Sequence, residues 1–502
     1  MPTFGAIRYI GLSAQFLQDK WPASFVTNNL KQRIARLLPN NNFARGVSVL
    51  VGGTASAQLV VLLAAPLLTR LYSPDDFGVL AVYIGILSLL SVIASLRYEL
   101  AIPLPEDERE AVALTLLSFL IVLTVAGLAG ISVLFWGQGL TELLQVPSLA
   151  DYLWLLPVGV LFAGSYQIFT YWAVRLKQFP VLAKTKLWQQ LVTTALQMSA
   201  FKVGGIGLIL GQVSGQSVGV SALAKKVICR DSWKNPPFAE MKFVALRYRN
   251  FPLFSTWGGF LNAAGTQLPP LLFASIFGAT AAGLYALAHR IIALPMTVVG
   301  QAVGQVFLSN AAIDFRAGKL PPLVISAQRA LIKIILPPVL FLILFGPESF
   351  HIVFGEKWIQ SGEVASWLAL WMLVSFSTSP LSSVFTVIER QALGMIMQAV
   401  LFLFRVLGIC VGVYYQDFML AIIWFSVFNI FGYLAYQVVT FKSLGLKIKD
   451  ALEGYIFVFP IVFFALLVND QVTKNWLLYI FLGGVISSVI YYYKMMVSLK
   501  ND

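Results

Sequence analysis

The chain of 502 residues is 58% hydrophobic and only 11% charged, with a mean hydropathy of +0.81. A soluble chain carries roughly 25% charged residues to wet its surface, so a soluble enzyme or binding domain is excluded and most of the surface is assigned to lipid. The net charge of +13 would point to nucleic acid if the basic residues clustered, but their distribution, given below, argues against that partner. Cys229 and Cys410 have neither disulfide-framework nor metal-ligand spacing. No Walker-type phosphate loop occurs, so no metal or cofactor is expected.

In chain order, residues 1–45 come first as a basic segment. Between Asn29 and Phe43, Lys31, Arg33 and Arg36 alternate with Leu30, Ile34, Leu37 and Leu38, an amphipathic pattern suited to the inner membrane surface. The segment lacks the apolar core and cleavage site of a secretory signal; a start further downstream is the other reading. Apolar stretches then recur at 46–69, 77–97, 112–136, 152–174, 181–201 and 205–224. They make a first lobe of six spans over 46–224, the fifth being the most polar. A hydrophilic linker over 225–250 holds Lys225, Lys226 and the breaker Asn235-Pro236-Pro237. A second lobe over 251–441 has spans at 251–277, 281–308, 330–354, 364–388, 392–413 and 418–441. Residues 442–502 hold two more, at 454–469 and 475–493. About fourteen spans of this length are expected to be helices, because lipid leaves an open backbone unsatisfied.

With the N-terminus inside, 29 of the 35 Lys and Arg residues fall on inner segments, including Arg97, Arg109, Lys184 and Lys186. Only Arg70, Lys202, Lys357 and Lys474 fall outside. This alternation is the positive-inside pattern. It puts both termini in the cytoplasm and turns the high pI into a topology signal. The two lobes also begin alike. Gly52-Gly53, Gln58, Pro66 and Phe77-Gly78-Val79-Leu80-Ala81 are echoed by Gly258-Gly259, Gln267, Pro269-Pro270 and Ala282-Gly283-Leu284-Tyr285-Ala286. Both copies start inside, so the repeat is parallel.

Polar residues within spans mark the candidate path. Gln58 in the first span and Asn262 and Gln267 in the seventh must be satisfied by neighbours or by water in a central cleft. Gly207, Gly211, Gly215 and Gly219 form a small-residue row that lets another helix approach closely. Two arginines lie near mid-membrane, Arg290 roughly 15 Å and Arg405 roughly 18 Å from the outer end of their spans at 1.5 Å per residue. A central arginine costs at least about 2.5 kcal/mol, and no mid-span acid neutralises either. Both are therefore expected to face a wet cavity and attract an anion such as a phosphate, against the alternatives of carbonyl capping or snorkelling. His289 adjoins Arg290 on another face. Ser73-Pro74-Asp75-Asp76 reads as a helix start rather than a catalytic acid pair. Glu99 and Glu389 are the candidates for proton or cation coupling.

The run Leu71-Tyr72-Ser73-Pro74-Asp75-Asp76-Phe77-Gly78, then Leu96-Arg97-Tyr98-Glu99-Leu100-Ala101-Ile102 and Pro105, resembles the polysaccharide transporter (Wzx-type flippase) family. So do Phe251-Pro252-Leu253-Phe254-Ser255, Phe277-Gly278, Ala282 to Ala288 and Leu294-Pro295. This family is a branch of the multidrug/oligosaccharidyl-lipid/polysaccharide exporter superfamily, and the likeness covers about residues 44 to 440. It implies a MATE-like fold of two six-helix lobes plus two C-terminal helices. It also implies a non-enzymatic flippase of the bacterial inner membrane, moving undecaprenyl-diphosphate-linked oligosaccharide to the periplasmic leaflet for O-antigen, capsule or exopolysaccharide synthesis. Implied partners are membrane lipids, a polysaccharide polymerase and a chain-length regulator. A small-molecule exporter of the same superfamily is a second reading, although cationic drugs would need acidic mid-span residues. A membrane polymerase or glycosyltransferase is a third, although it would need long outer loops.

Overall fold

The computed structural model describes residues 42–228, 238–300, 303–304, 307, 311, 314–315, 317–388, 390–456 and 458–461. The basic segment before Asn42, most of the last two expected spans, and Glu389 lie outside the described residues. The described chain is all helix and turn, without a strand. The helices used below are α1 Asn42–Leu71, α2 Pro74–Ile93, α3 Glu108–Leu143, α4 Leu155–Arg175, α5 Phe179–Ser199, α6 Gly205–Ile228 and α7 Phe238–Arg247. They continue with α8 Thr256–Pro295, α9 Leu320–Phe354, α10 Ile359–Thr378, α11 Gln391–Tyr415, α12 Phe418–Ser443 and α13 Ile448–Glu453.

Among the described residues, 9 helical stretches are long and apolar enough to cross a membrane. The longest, Phe251–Pro295 with 45 residues, holds two crossings. Gly278 has φ +85°, a conformation open to glycine because it lacks Cβ, and there the chain turns back. The Phe273 and Tyr285 rings then meet at 4.9 Å, although twelve residues of straight helix would separate them by about 18 Å. The turn at Leu71–Pro74 and the turn at Gly278 share one end of the bundle, the outer end in the charge-based orientation. Helices α4 and α5 have the length of spans, but Gln167, Lys186, Gln189 and Gln190 lower their hydropathy.

Packing divides the bundle into two groups. In the first, α5 lies against α1 and α6, while α4 packs on α3 and α6. The glycine row serves the α5–α6 seam: a Cβ on Gly211 would lie 2.8 Å from the Thr193 carbonyl oxygen, and one on Gly215 2.9 Å from that of Gln189. In the second group, α9 packs on α10, α11 on α12, and α10 on both α8 and α12.

The two groups join mainly through α2 and α8, and the join uses the repeated motif. A Cβ on Gly78 would stand 1.8 Å from the Ala279 carbonyl oxygen, and one on Gly283 1.8 Å from that of Pro74. Backbone therefore meets backbone where each copy of the repeat has its glycine. Ser73 caps α2 in a capping box with Asp76, which fixes the turn that Gly283 touches. Trp358, fully buried, donates its indole N–H to the Thr69 carbonyl at 2.9 Å and meets Phe77 edge-on at 4.9 Å.

Arg405 is explained by a proline. Pro269 has no N–H to give, so the carbonyl of Gly265, one turn earlier, loses its helical partner. Arg405 on α11 fills that vacancy: Nη1 donates to the Gly265 oxygen at 2.7 Å, Nε to Asn429 Oδ1 at 3.2 Å and Nη2 to the Tyr433 hydroxyl at 3.1 Å. The guanidinium thus ties the bent α8 to α11 and α12. Losing three such bonds, each about 0.6 kcal/mol within a membrane, predicts that Arg405→Leu lowers stability by about 2 kcal/mol. Reversible unfolding of the purified protein in mixed micelles measures this, and an unchanged midpoint would contradict the tether.

Candidate functional site

A cavity of about 280 Å³ lies between the two groups, walled by α2, α5, α6 and both limbs of α8. Its polar lining is Gln190, Thr193 and Gln197 on α5, Gln212 on α6, and Thr266, Gln267, Tyr285, His289 and Arg290 on α8. Gln190, Thr193 and Gln197 recur at helical spacing and share one face of α5. Gln197 is committed, donating to the Leu208 carbonyl at 2.9 Å. Gln190, Gln212, Gln267 and Arg290 are half-buried and make no hydrogen bond or ion pair among the described residues. A guanidinium with all five donors open and three amides at one cavity between the helix groups can hold an anion and the hydroxyls attached to it.

The residues expected from sequence are distributed as follows. Arg290 and Gln267 line this cavity. Arg405 lines a neighbouring cavity of about 210 Å³ within the second group, which shares Thr266, Tyr285 and His289 with the first. There its guanidinium is already bound by the three oxygens named above. Gln58 on α1 and Asn262 on α8 line neither cavity; Asn262 is exposed, one turn before the cavity-lining Thr266 on the same face of α8. His289 stacks between Tyr285 at 5.5 Å and Trp371 at 5.9 Å, walling the two cavities apart. Gln190, Thr193, Gln197 and Gln212 are additions that the sequence reading missed. The polarity that made the fifth span the most polar is their signal.

At the opposite end from Gly278, the two runs that carry the family likeness meet. The 3-10 turn Tyr98–Ala101 packs on the π-helical turn Phe251–Ser255. Tyr98 donates to the Ala245 carbonyl at 3.0 Å, Arg247 grips both Glu110 carboxylate oxygens at 2.8 Å, and the Arg97 guanidinium lies against Gly259. Leu96 and Arg97 both take left-handed backbone, φ 49° and 62°, which is strained for residues with a side chain. Glu99 is fully buried there. It accepts from the Ser95 hydroxyl and stands 3.8 Å from Arg97, while its Oε1 has no hydrogen bond.

Burial pushes the Glu99 carboxyl above its ordinary range, more than the Ser95 hydrogen bond, its own backbone N–H and Arg97 pull it down. A carboxyl raised in the folded state stabilises the fold while protonated, and that contribution is lost as pH rises through the raised value. Glu99→Gln is therefore expected to raise the thermal midpoint at pH 8 and leave it nearly unchanged at pH 5. Melting curves at the two pH values check this; an equal shift at both would contradict it.

A family model described as polysaccharide biosynthesis protein matches residues 67–363. No curated protein sequence matches the chain. Among solved structures, the lipid II flippase MurJ in an inward closed conformation aligns with TM-score 0.69 at 15% identity, covering 89% of this chain and 99% of that one. An inward-facing multidrug resistance MATE family transporter of the MOP superfamily aligns with TM-score 0.62 at 14% identity, covering 77% and 94%. A MOP superfamily transporter from Pyrococcus furiosus aligns with TM-score 0.50 at 15% identity, covering 82% and 97%. Identities this low establish the fold, and the family model, which covers more than half of the 502 residues, establishes membership. This chain belongs to the polysaccharide biosynthesis protein family and is built on the MOP superfamily fold.

Proposed function

We propose that the protein is a flippase for undecaprenyl-diphosphate-linked oligosaccharide, working by alternating access from the cytoplasmic to the periplasmic leaflet of the bacterial inner membrane. One observation carries the reading: Arg290, an unpaired cation in a mid-membrane cavity, is surrounded by free glutamine amides at the join of two helix groups. A diphosphate answers the cation and a glycan answers the amides, and the family's place in polysaccharide biosynthesis supplies a substrate with both. A cationic drug would meet repulsion from Arg290 with no acid in the cavity wall, which sets the exporter reading behind this one.

In this reading the two groups are the two lobes expected over 46–224 and 251–441. The Gly78–Gly283 join closes the periplasmic side while the cavity loads from the cytoplasm. Glu99, buried beside the Arg97–Gly259 contact at the inner end, is the proposed proton-coupling acid; Glu389 is a further proposed one. The reading also carries the proposed partners, membrane lipids and the polymerase and chain-length regulator that act on the exported glycan, and it requires no catalytic step. Gene deletion tests it. The lipid-linked oligosaccharide is expected to accumulate on the cytoplasmic leaflet; unpolymerised chains on the periplasmic side would instead indicate a polymerase.

A further inference from the structure

The charge count assigns Lys186 to an inner loop, but the side chain belongs to α5, seven residues beyond its first residue, Phe179. That is about 10 Å along the helix axis. Lys186, Gln190, Thr193 and Gln197 are spaced by four, three and four residues, so they form one stripe on α5. The last three line the Arg290 cavity, and Lys186 sits one turn nearer the inner end on the same stripe. It is half-buried, and its ammonium donates to the Thr54 hydroxyl of α1 at 3.2 Å. It is thus turned into the bundle, toward the α1–α5 seam and away from the lipid. None of the described ion pairs includes it. An ammonium has three donors, of which Thr54 takes one.

Resting on the flippase reading, we infer that Lys186 is the second cation of the site and that it binds one phosphoryl group of a diphosphate ester whose other phosphoryl group meets Arg290. The two cations come from different helix groups, Lys186 from α5 and Arg290 from the second limb of α8. A diphosphate presents two separated anionic groups and a monophosphate only one, so a two-cation site reads the number of phosphates. Gln190, between Lys186 and the upper cavity wall on the same stripe, is left for the bridging oxygen or the first sugar. A tether that served only to hold α1 to α5 would have no dependence on phosphate number.

The test uses the full-length protein in nanodiscs, titrated with undecaprenyl diphosphate, undecaprenyl phosphate and inorganic pyrophosphate. The wild type is expected to bind the diphosphate lipid at least about tenfold more tightly than the monophosphate lipid. Lys186→Ala should erase that preference while leaving monophosphate binding within about threefold, and Lys186→Arg should restore most of it. Competition by pyrophosphate would assign recognition to the diphosphate alone, and its failure would assign it to the lipid-linked form; the Lys186 effect is expected in either case. If Lys186→Ala retains the full preference while Arg290→Ala weakens the diphosphate lipid, the inference falls and the flippase reading stands. If neither substitution weakens that lipid, both fall. Lys186→Met, equally long and uncharged, guards against misfolding: a normal melting curve with the preference retained would also overturn the inference.

Discussion

Gly283→Val is expected to hold the outer end of the protein open and to abolish transport. The Cβ of any residue at 283 would stand 1.8 Å from the Pro74 carbonyl oxygen and 2.8 Å from the Gly78 nitrogen. Both atoms are backbone, in a turn fixed by the Ser73–Asp76 capping box, so no rotamer change relieves the overlap. Overpacking costs about 1–3 kcal/mol where side chains can move, and here the upper end applies, a shift of about 100-fold in the closed-to-open ratio. The remedy available to the protein is to separate α2 from α8, the seam between the two groups. In a chain with both cysteines replaced by Ser, a cysteine at Ala81, which is 9% exposed and lines the cavity, reports the change. A membrane-impermeant maleimide added from outside should label it slowly in the parent and at least about tenfold faster in Gly283→Val. Gly127→Val, where an added Cβ meets nothing within 4 Å, is the control. Equal labelling in all three would show that this seam is not the outer closure.

Arg290→Ala is expected to cut export strongly with little effect on folding. Its donors are uncommitted among the described residues, so removal strands no protein acceptor, unlike Arg405→Leu. A charge-assisted hydrogen bond to an anion contributes about 1.5–3 kcal/mol, and more where water is scarce. Glycan export measured by surface polymer should therefore fall by about 10- to 100-fold at normal protein level. Arg290→Lys keeps the charge but loses the fork geometry and is expected to fall between. Export at the wild-type rate in Arg290→Ala would remove the basis for an anionic substrate at this cavity.

Much of the fold was legible because lipid restricts what a chain can do. Apolar length marked the spans, and the repeat pointed to Gly78 and Gly283 before their contact was known. The roles of the two arginines were not separable by sequence, since both are mid-span cations without an acid. What separates them is tertiary: Pro269 vacates the Gly265 carbonyl, and Arg405 happens to face it from another helix. The polar residues are picked out in the sequence by type, and type carries no information on depth along a helix. Asn262 shares a face with Thr266, which lines the cavity beside Gln267, but sits four residues, about 6 Å, further along α8. Gln190, Thr193 and Gln197 were missed for the opposite reason: their stripe made α5 look like a poor span instead of a cavity wall. Lys186 was hidden by the positive-inside rule, which pools every cation near a helix end.

In the proposed function a diphosphate-linked glycan crosses between leaflets through the Arg290 cavity. Proteoliposomes containing the purified protein and a fluorescent undecaprenyl-diphosphate saccharide test it most directly, with leaflet residence read by an impermeant reagent that quenches only the outward-facing saccharide. The initially protected half is expected to become accessible with wild-type protein and to stay protected with Arg290→Ala, in vesicles of equal protein content. Protection that persists with the wild type, or is lost at the same rate with Arg290→Ala, would contradict it.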